Sequence, residues 1–439
     1  MGWSLTLAPA AGGPRFLAIA RAVMDDIRRG RLTPGQRLPG SRPLAGQLGV
    51  HRNTVLAALA ELEAQGWLVT QPARGTFVAD QLPDDTLRPT RKGLARAGFA
   101  LAPQPQVTPR FTEPPDQPGP RGRRPIQLAS GTPDPRLFPV DELVRAWRRA
   151  LRRGARDLLS YGPPEGHPAL RRALAEMVRT VRGVPASAEH VLVVRGSQMA
   201  LDLCARVLVQ PGDVVAVEAL GYRPAWEALR FAGAELAPIP VDGEGLDVAA
   251  LDALARRRRV RAVYVTPHHQ YPTTVTMSAA RRMALAAAAR RHRLLVLEDD
   301  YDHEFHYDGR PVPPLAAADD GGHVVYLGTL SKVLAPGLRL GFIVAPADVI
   351  PRLAAVRSIM DRQGDRAMEA AVAELIDDGL LQRHIRRTRL VYLERRDALV
   401  ASLRRRLAGV VDVEAPRGGI SVWAPLRDGA RVDLDRWLA

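Results

Sequence analysis

The sequence predicts an α/β protein made of a small helical N-terminal unit, a proline-rich connector and a large α/β domain. Three observations carry this. Residues 14–80 contain amphipathic helical repeats followed by two short strand-like runs. Residues 81–125 are polar and contain ten prolines. Residues 126–439 alternate apolar strand-like runs with amphipathic helices, the pattern of a mainly parallel sheet covered by helices.

In the first unit, Phe16, Ile19, Ala20, Val23, Met24 and Ile27 recur at helical spacing. Ser41 is the expected N-cap of a second helix carrying Leu44 and Leu48, and Gly49-Val50 makes a turn. A third helix is expected from about Arg52 to Gln65, with Val55, Leu59 and Leu62 inward and Gly66 as its stop. Trp67–Gln71 and Gly75–Val78 read as strands around Pro72-Ala73-Arg74. This order is that of a winged helix-turn-helix, whose last helix presents its first residues to the major groove. Those residues are His51, Arg52, Asn53 and Thr54. Arginine suits guanine, asparagine suits adenine, and threonine suits a phosphate or a thymine methyl. Arg37, Ser41, Arg42 and Arg74 would lie near the DNA backbone. The same pattern also fits a helical docking module with a solvated charged face.

Charge favours the first reading. The net charge is +15, and residues 1–125 hold 17 Arg and Lys against 9 Asp and Glu. An uneven basic charge favours a nucleic acid or membrane-surface partner. The run from Leu38 to Ala45, then Leu48-Gly49-Val50-His51-Arg52-Asn53-Thr54-Val55, resembles the GntR-type winged helix. That resemblance implies binding to double-stranded DNA. The family more often carries Ser at the position of His51.

The connector, residues 81–125, has a net charge of +4 and few large apolar residues, so an extended linker is expected. Beyond it, strands are expected at Val191–Val194, Val214–Val217, Ala262–Val265, Leu294–Leu297 and Val324–Leu327.

Of 62 basic residues only Lys92 and Lys332 are lysines. Arginine replaces lysine wherever charge suffices, but a guanidinium does not form an imine. Lys92 lies in the polar connector and reads as a solvated residue. Lys332 follows Gly328-Thr329-Leu330-Ser331 after an apolar strand, and is the candidate anchor for pyridoxal 5′-phosphate (PLP) as a Schiff base. PLP also needs a carboxylate for its ring nitrogen, phosphate donors and a flat stacking group. Asp299 is expected to pair with the ring nitrogen and Tyr301 with the ring hydroxyl, both just after a strand. Thr329, Ser331 and Arg339 offer phosphate contacts. Gly196-Ser197-Gln198 opens a helix whose free N–H groups suit an anion. Tyr222 is a candidate stacking ring. No metal site is expected.

Taken together, Tyr161–Gly166, Gly196-Ser197-Gln198, Thr266–Pro272, Glu298–Phe305 and Gly328–Gly341 resemble the fold type I aminotransferase domain of the MocR/PdxR-type branch of GntR regulators. The resemblance implies that Lys332, Asp299 and Tyr301 form the catalytic set. It implies phosphate contacts from Ser197, Gln198, Thr329 and Arg339, stacking by Tyr222, and Tyr161 reaching a neighbouring subunit's phosphate, hence a homodimer. The family usually has Gly where this chain has Thr274. It also usually runs several dozen residues past a segment like Arg417–Ile420. The C-terminal part is therefore expected to be short, ending in a helix at Asp433–Leu438, with amino-acid recognition weakened.

The expected function is a PLP-dependent transcriptional regulator that binds DNA and senses PLP or a small amino compound. An active PLP-dependent aminotransferase is the alternative, and a DNA-binding repressor whose second domain only dimerises is a third reading. No apolar run reaches the roughly 18–20 residues that span a bilayer, and the N-terminus lacks a secretory pattern. With Cys204 as the only cysteine, a reduced cytoplasmic setting is expected.

Overall fold

The computed structural model describes Trp3, Leu5 and residues 14–83, 131–309 and 312–430. The expected linker beyond residue 83 and the helix at Asp433–Leu438 lie outside the described residues. The chain divides into two compact units, Met1–Gln104 and Pro105–Ala439.

The first unit contains α1 (Arg15–Arg28), α2 (Ser41–Leu48), α3 (Arg52–Ala64), β1 (Leu68–Gln71) and β2 (Gly75–Val78). Ile19, Val23, Leu44, Val55, Leu62 and Leu68 converge in its core, as their helical spacing requires. Gly49 ends α2 in a left-handed conformation (φ 59°), which closes the tight turn into α3. One expected cap is wrong. Gly40 is the N-cap of α2, and Ser41 is its first helical residue. The Ser41 hydroxyl instead accepts a hydrogen bond from Arg52 Nε at 3.1 Å, tying the two helix starts together. β1 and β2 pair antiparallel, Leu68 opposite Val78, as the wing.

The second unit is built on a seven-stranded sheet. Its strands are β3 (Val191–Val194), β4 (Val214–Glu218), β5 (Glu235–Ile239), β8 (Val260–Val265), β9 (Leu295–Asp300), β10 (Val324–Thr329) and β11 (Gly341–Val344). A two-residue hairpin, β6 (Val241–Asp242) and β7 (Gly245–Leu246), stands apart. The order is β3-β11-β10-β9-β8-β4-β5. β10, β9, β8, β4 and β5 run parallel, and β11 is antiparallel to both its neighbours.

Alternate residues of each strand enter opposite cores. Val191 and Val193 join one cluster, Leu192 and Val194 the other. The first cluster packs under α5 (Pro168–Arg182), α8 (Val248–Arg257), α9 (Ala279–His292) and α11 (Arg366–Asp377). The second packs under α6 (Ser197–Leu208), α7 (Arg223–Phe231) and α10 (Ile350–Met360). α4 (Val140–Leu158) lies on α11, and α12 (Leu380–Arg406) is the last helix among the described residues. Among the described residues no helix is long and apolar enough to cross a membrane.

Two strands outrun their apolar cores. β9 continues through Glu298, Asp299 and Asp300, which were expected to follow it, and β10 takes in Gly328 and Thr329. These residues are held in the ladder by neighbours on both sides: β9 between the parallel β8 and β10, Val265 opposite Glu298 and Leu327 opposite Asp299, and β10 between the parallel β9 and the antiparallel β11, with Thr329 opposite Gly341.

Leu62 is fully buried in the first unit. Leu62→Ala should lower unfolding free energy by about 2–5 kcal/mol, read as a lower urea midpoint of the transition reported by the buried Trp67. A loss under about 1 kcal/mol would contradict the packing described.

Candidate functional site

The C-terminal ends of β8, β9 and β10 lie side by side, and the chemistry of the second unit gathers there. Asp299 is buried near the end of β9. Tyr264, from β8, donates to its Oδ2 at 2.8 Å, while its Oδ1 is buried without a hydrogen-bond partner. Burial pushes the carboxyl up to about 7, with the Tyr264 hydroxyl working in the opposite direction. Tyr264 sits inside the apolar run Ala262–Val265 and gives no sequence signal of its own.

Lys332 follows β10. Its Nζ donates to the Gly131 carbonyl at 2.6 Å. Burial lowers its pKa, although Asp302 and Asp299 act to raise it. A lowered pKa brings the neutral, nucleophilic amine nearer to hand. Gly131 is a second residue that sequence reasoning missed.

Around this pair the expected residues fall as follows. Thr329 and Ser331 are buried, and the Thr329 hydroxyl accepts from the Ser331 N–H at 3.1 Å. Ser197 begins α6, whose N-cap Gly196 supplies no capping side chain, so the first N–H groups of the helix have no local acceptor from it. Gly196 has φ 78°, and a Cβ there would sit 3.2 Å from the Arg339 guanidinium. Arg339 Nη2 donates to the Arg195 carbonyl at 2.8 Å, so this arginine stands over the helix start. Gln198 points elsewhere, Nε2 to the Pro224 carbonyl at 3.2 Å.

Tyr222 is half-buried and meets Tyr271 edge-on at 5.6 Å. Tyr301 donates to the His269 carbonyl at 2.9 Å, and burial raises its pKa well above the usual value. Tyr161 is 75% exposed, with the Arg362 guanidinium 4.7 Å from its ring centre, so within the single chain it does not join the group. Thr274, where the resemblance expects glycine, has φ 63°. A β-branched residue is strained in that region.

A buried polar layer backs β9. Asp300 accepts from Tyr326 at 2.6 Å and pairs with His303 at 2.9 Å. Arg182 contacts Tyr326 and Glu304. Burial opposes ionisation of Asp300, but His303, His268 and Arg182 together hold its pKa well below the ordinary value. Glu298 accepts from the Leu315 and Ala316 N–H groups at 2.8 and 2.9 Å.

In the first unit Arg37, Arg42, His51, Arg52, Asn53 and Arg74 are exposed, and Ser41 and Thr54 are half-buried. His51 is the N-cap of α3, its Nδ1 accepting from the Asn53 N–H at 3.2 Å. Arg74 lies on the turn between β1 and β2, with its guanidinium 6.0 Å from the Phe77 ring centre.

The arrangement fits PLP. A neutral-prone lysine amine lies near a buried carboxylate that has one unpartnered oxygen, and an uncapped helix start lies beneath a guanidinium. Comparison with known proteins agrees. Residues 123–436 match the family described as aminotransferase class I and II, and residues 17–78 match bacterial regulatory proteins of the gntR family. The chain is 36% identical to the probable rhizopine catabolism regulatory protein MocR of Rhizobium meliloti, over 96% of this chain and 83% of that one. It is 34% identical to the regulator TauR of Rhodobacter capsulatus, over 91% of this chain and 82% of that one. The α-aminoadipate aminotransferase LysN of Thermus thermophilus, solved with N-(5′-phosphopyridoxyl)-L-leucine, superposes with a TM-score of 0.64 at 34% identity, over 69% of this chain and 77% of that one.

Burial holds the Asp299 proton more tightly in the folded chain than in the unfolded one, about 7 against 3.8. The stability it contributes is therefore present below about pH 4 and is lost as pH rises towards 7. Without PLP, the unfolding free energy of the wild type minus that of Asp299→Asn should fall by about 2–4 kcal/mol across that window. Parallel pH profiles would contradict the burial of an uncompensated carboxylate.

Proposed function

The chain belongs to the MocR-type GntR regulators, with a class I and II aminotransferase domain that takes PLP, and from this we propose a PLP-responsive DNA-binding regulator whose cofactor is held by Lys332. The observation that carries the reading is Asp299, a buried carboxylate with one unpartnered oxygen beside the Lys332 loop. When bound, PLP supplies an aldehyde that an amine captures and an electron-withdrawing ring.

The chain's own residues do the rest. Asp299 Oδ1 would accept the ring nitrogen's hydrogen, and a positive charge there would restore the carboxylate that burial disfavours. Tyr264 already occupies the other oxygen through its hydrogen bond. Ser197, Gln198, Thr329, Ser331 and Arg339 would hold the phosphate, with Gln198 leaving Pro224 to do so. Tyr301 would exchange the His269 carbonyl for the ring hydroxyl, and Tyr222 would lie on the ring. The exposed Tyr161 would reach the phosphate of a second copy, which makes the working form a homodimer.

In the reader, Arg52, Asn53, Thr54 and His51 would meet base edges, and Arg37, Ser41, Arg42 and Arg74 the phosphates. The proposed division is a reader at 14–80, a linker at 81–125 and an effector domain at 126–439, working in the cytoplasm. PLP or a small amino compound acts on DNA binding only if it prefers one arrangement of the dimer over another.

The test is a gel shift on DNA from the protein's own upstream region, with and without PLP. A shift whose midpoint moves with PLP in the wild type but not in Lys332→Ala supports the reading. No shift on any fragment in either condition overturns it. Arg52→Ala should weaken binding about 5- to 150-fold, the range for a bidentate base contact.

A further inference from the structure

Beyond the ends of β8 and β9 three imidazoles converge that have no task in the function above. His268 and His269 follow β8, and His306 lies six residues beyond the end of β9, bridged through its backbone to Gly418. His268 and His269 are almost completely buried, at 2% and 1% exposure. Neither ring nitrogen of His268 has a hydrogen-bond partner, nor has Nε2 of His269. Buried polar atoms are normally satisfied, so this cluster calls for a ligand. One donor atom from each of His268, His269 and His306 lies within 4.8 Å of the others.

The second sphere is in place. His269 Nδ1 lies 2.7 Å from Asp302 Oδ1. A carboxylate at Nδ1 fixes the proton there and leaves Nε2 as a lone pair, the arrangement that orients metal-bound histidines. Asp302 Oδ2 and Asp300 Oδ1 are further buried oxygens without partners, and they supply negative charge against a dication. Stacking of His268 on His303, ring centres 4.4 Å apart, accounts for the ring faces but not for the nitrogens.

We propose that His268, His269 and His306 bind one divalent transition-metal ion of the Zn2+ class, with Asp302 orienting His269. Zn–N bonds near 2.0–2.1 Å put tetrahedral donors roughly 3.3 Å apart. His306, only half-buried, is the ring that closes the remaining distance. Three imidazoles leave a fourth position for water. The ion would fasten the loop after β8, which carries Tyr271, to the segment after β9, which begins at Tyr301. It would thus stiffen the floor of the cofactor pocket.

Full-length protein freed of metal with EDTA and then titrated with Co2+ tests this. The expected result is one equivalent bound, visible d–d bands and a higher thermal midpoint. His306→Gln and His268→Gln should abolish the bands, and Asp302→Asn should weaken binding about 10- to 100-fold. His306→Gln should melt with the wild type in EDTA, which reports its folding independently. Should that variant misfold, the wild-type stoichiometry and spectrum decide alone. Lys332→Ala should bind Co2+ as the wild type does, which separates this site from the cofactor reading. Absence of d–d bands in the wild type, or unchanged bands in a folded His306→Gln, would overturn the proposal.

Discussion

A carboxylate buried at the end of a central strand organises the second unit. Asp299 lies on β9, flanked by β8 and β10 in parallel register. Ligand groups in open α/β sheets gather at the carboxyl ends of such strands. That placement brings Tyr264 to one side and the Lys332 loop to the other. Leaving Asp299 Oδ1 without a partner is costly in the bare chain. Under the proposed function, a protonated ring nitrogen at Oδ1 would offset that cost.

The layer behind β9 makes this tolerable. Charges next to Asp299 in sequence are each given partners. Asp300 has Tyr326 and His303, and Glu298 has two backbone N–H groups with Arg282 4.0 Å away. Arg182 closes the layer against Glu304 and Tyr326. A buried charge is kept only where it is paired, and Asp299 differs from these two neighbours in having only the neutral Tyr264 hydroxyl as its side-chain partner.

Much of this was legible in the sequence, for identifiable reasons. The helices and wing of the reader follow from Ile19, Val23, Val55 and Leu62 at helical spacing and from Gly49 and Gly66 at helix ends. Lys332 stood out because arginine has replaced nearly every other lysine. What was missed follows from the physics of the sheet. β9 and β10 ran on into polar residues because ladder pairing, not apolar character, holds Glu298–Asp300 and Gly328-Thr329 extended. Tyr264 looked like one more core residue, since its hydroxyl matters only once β8 is known to lie beside β9. Ser41 looked like a cap because a hydroxyl at a helix start usually is one, yet its partner is Arg52, eleven positions away in sequence. The grouping of His268, His269 and His306 gave no signal either, because the three meet only through the fold.

The scarcity of lysine that marked Lys332 also makes it directly testable. PLP-loaded protein reduced with borohydride and digested should carry a phosphopyridoxyl group on the peptide containing Lys332, as peptide mass spectrometry reads it. The label should be absent from Lys92 and lost altogether in Lys332→Ala. Labelling at Lys92, or none in the loaded wild type, would contradict the claim that Lys332 anchors the cofactor.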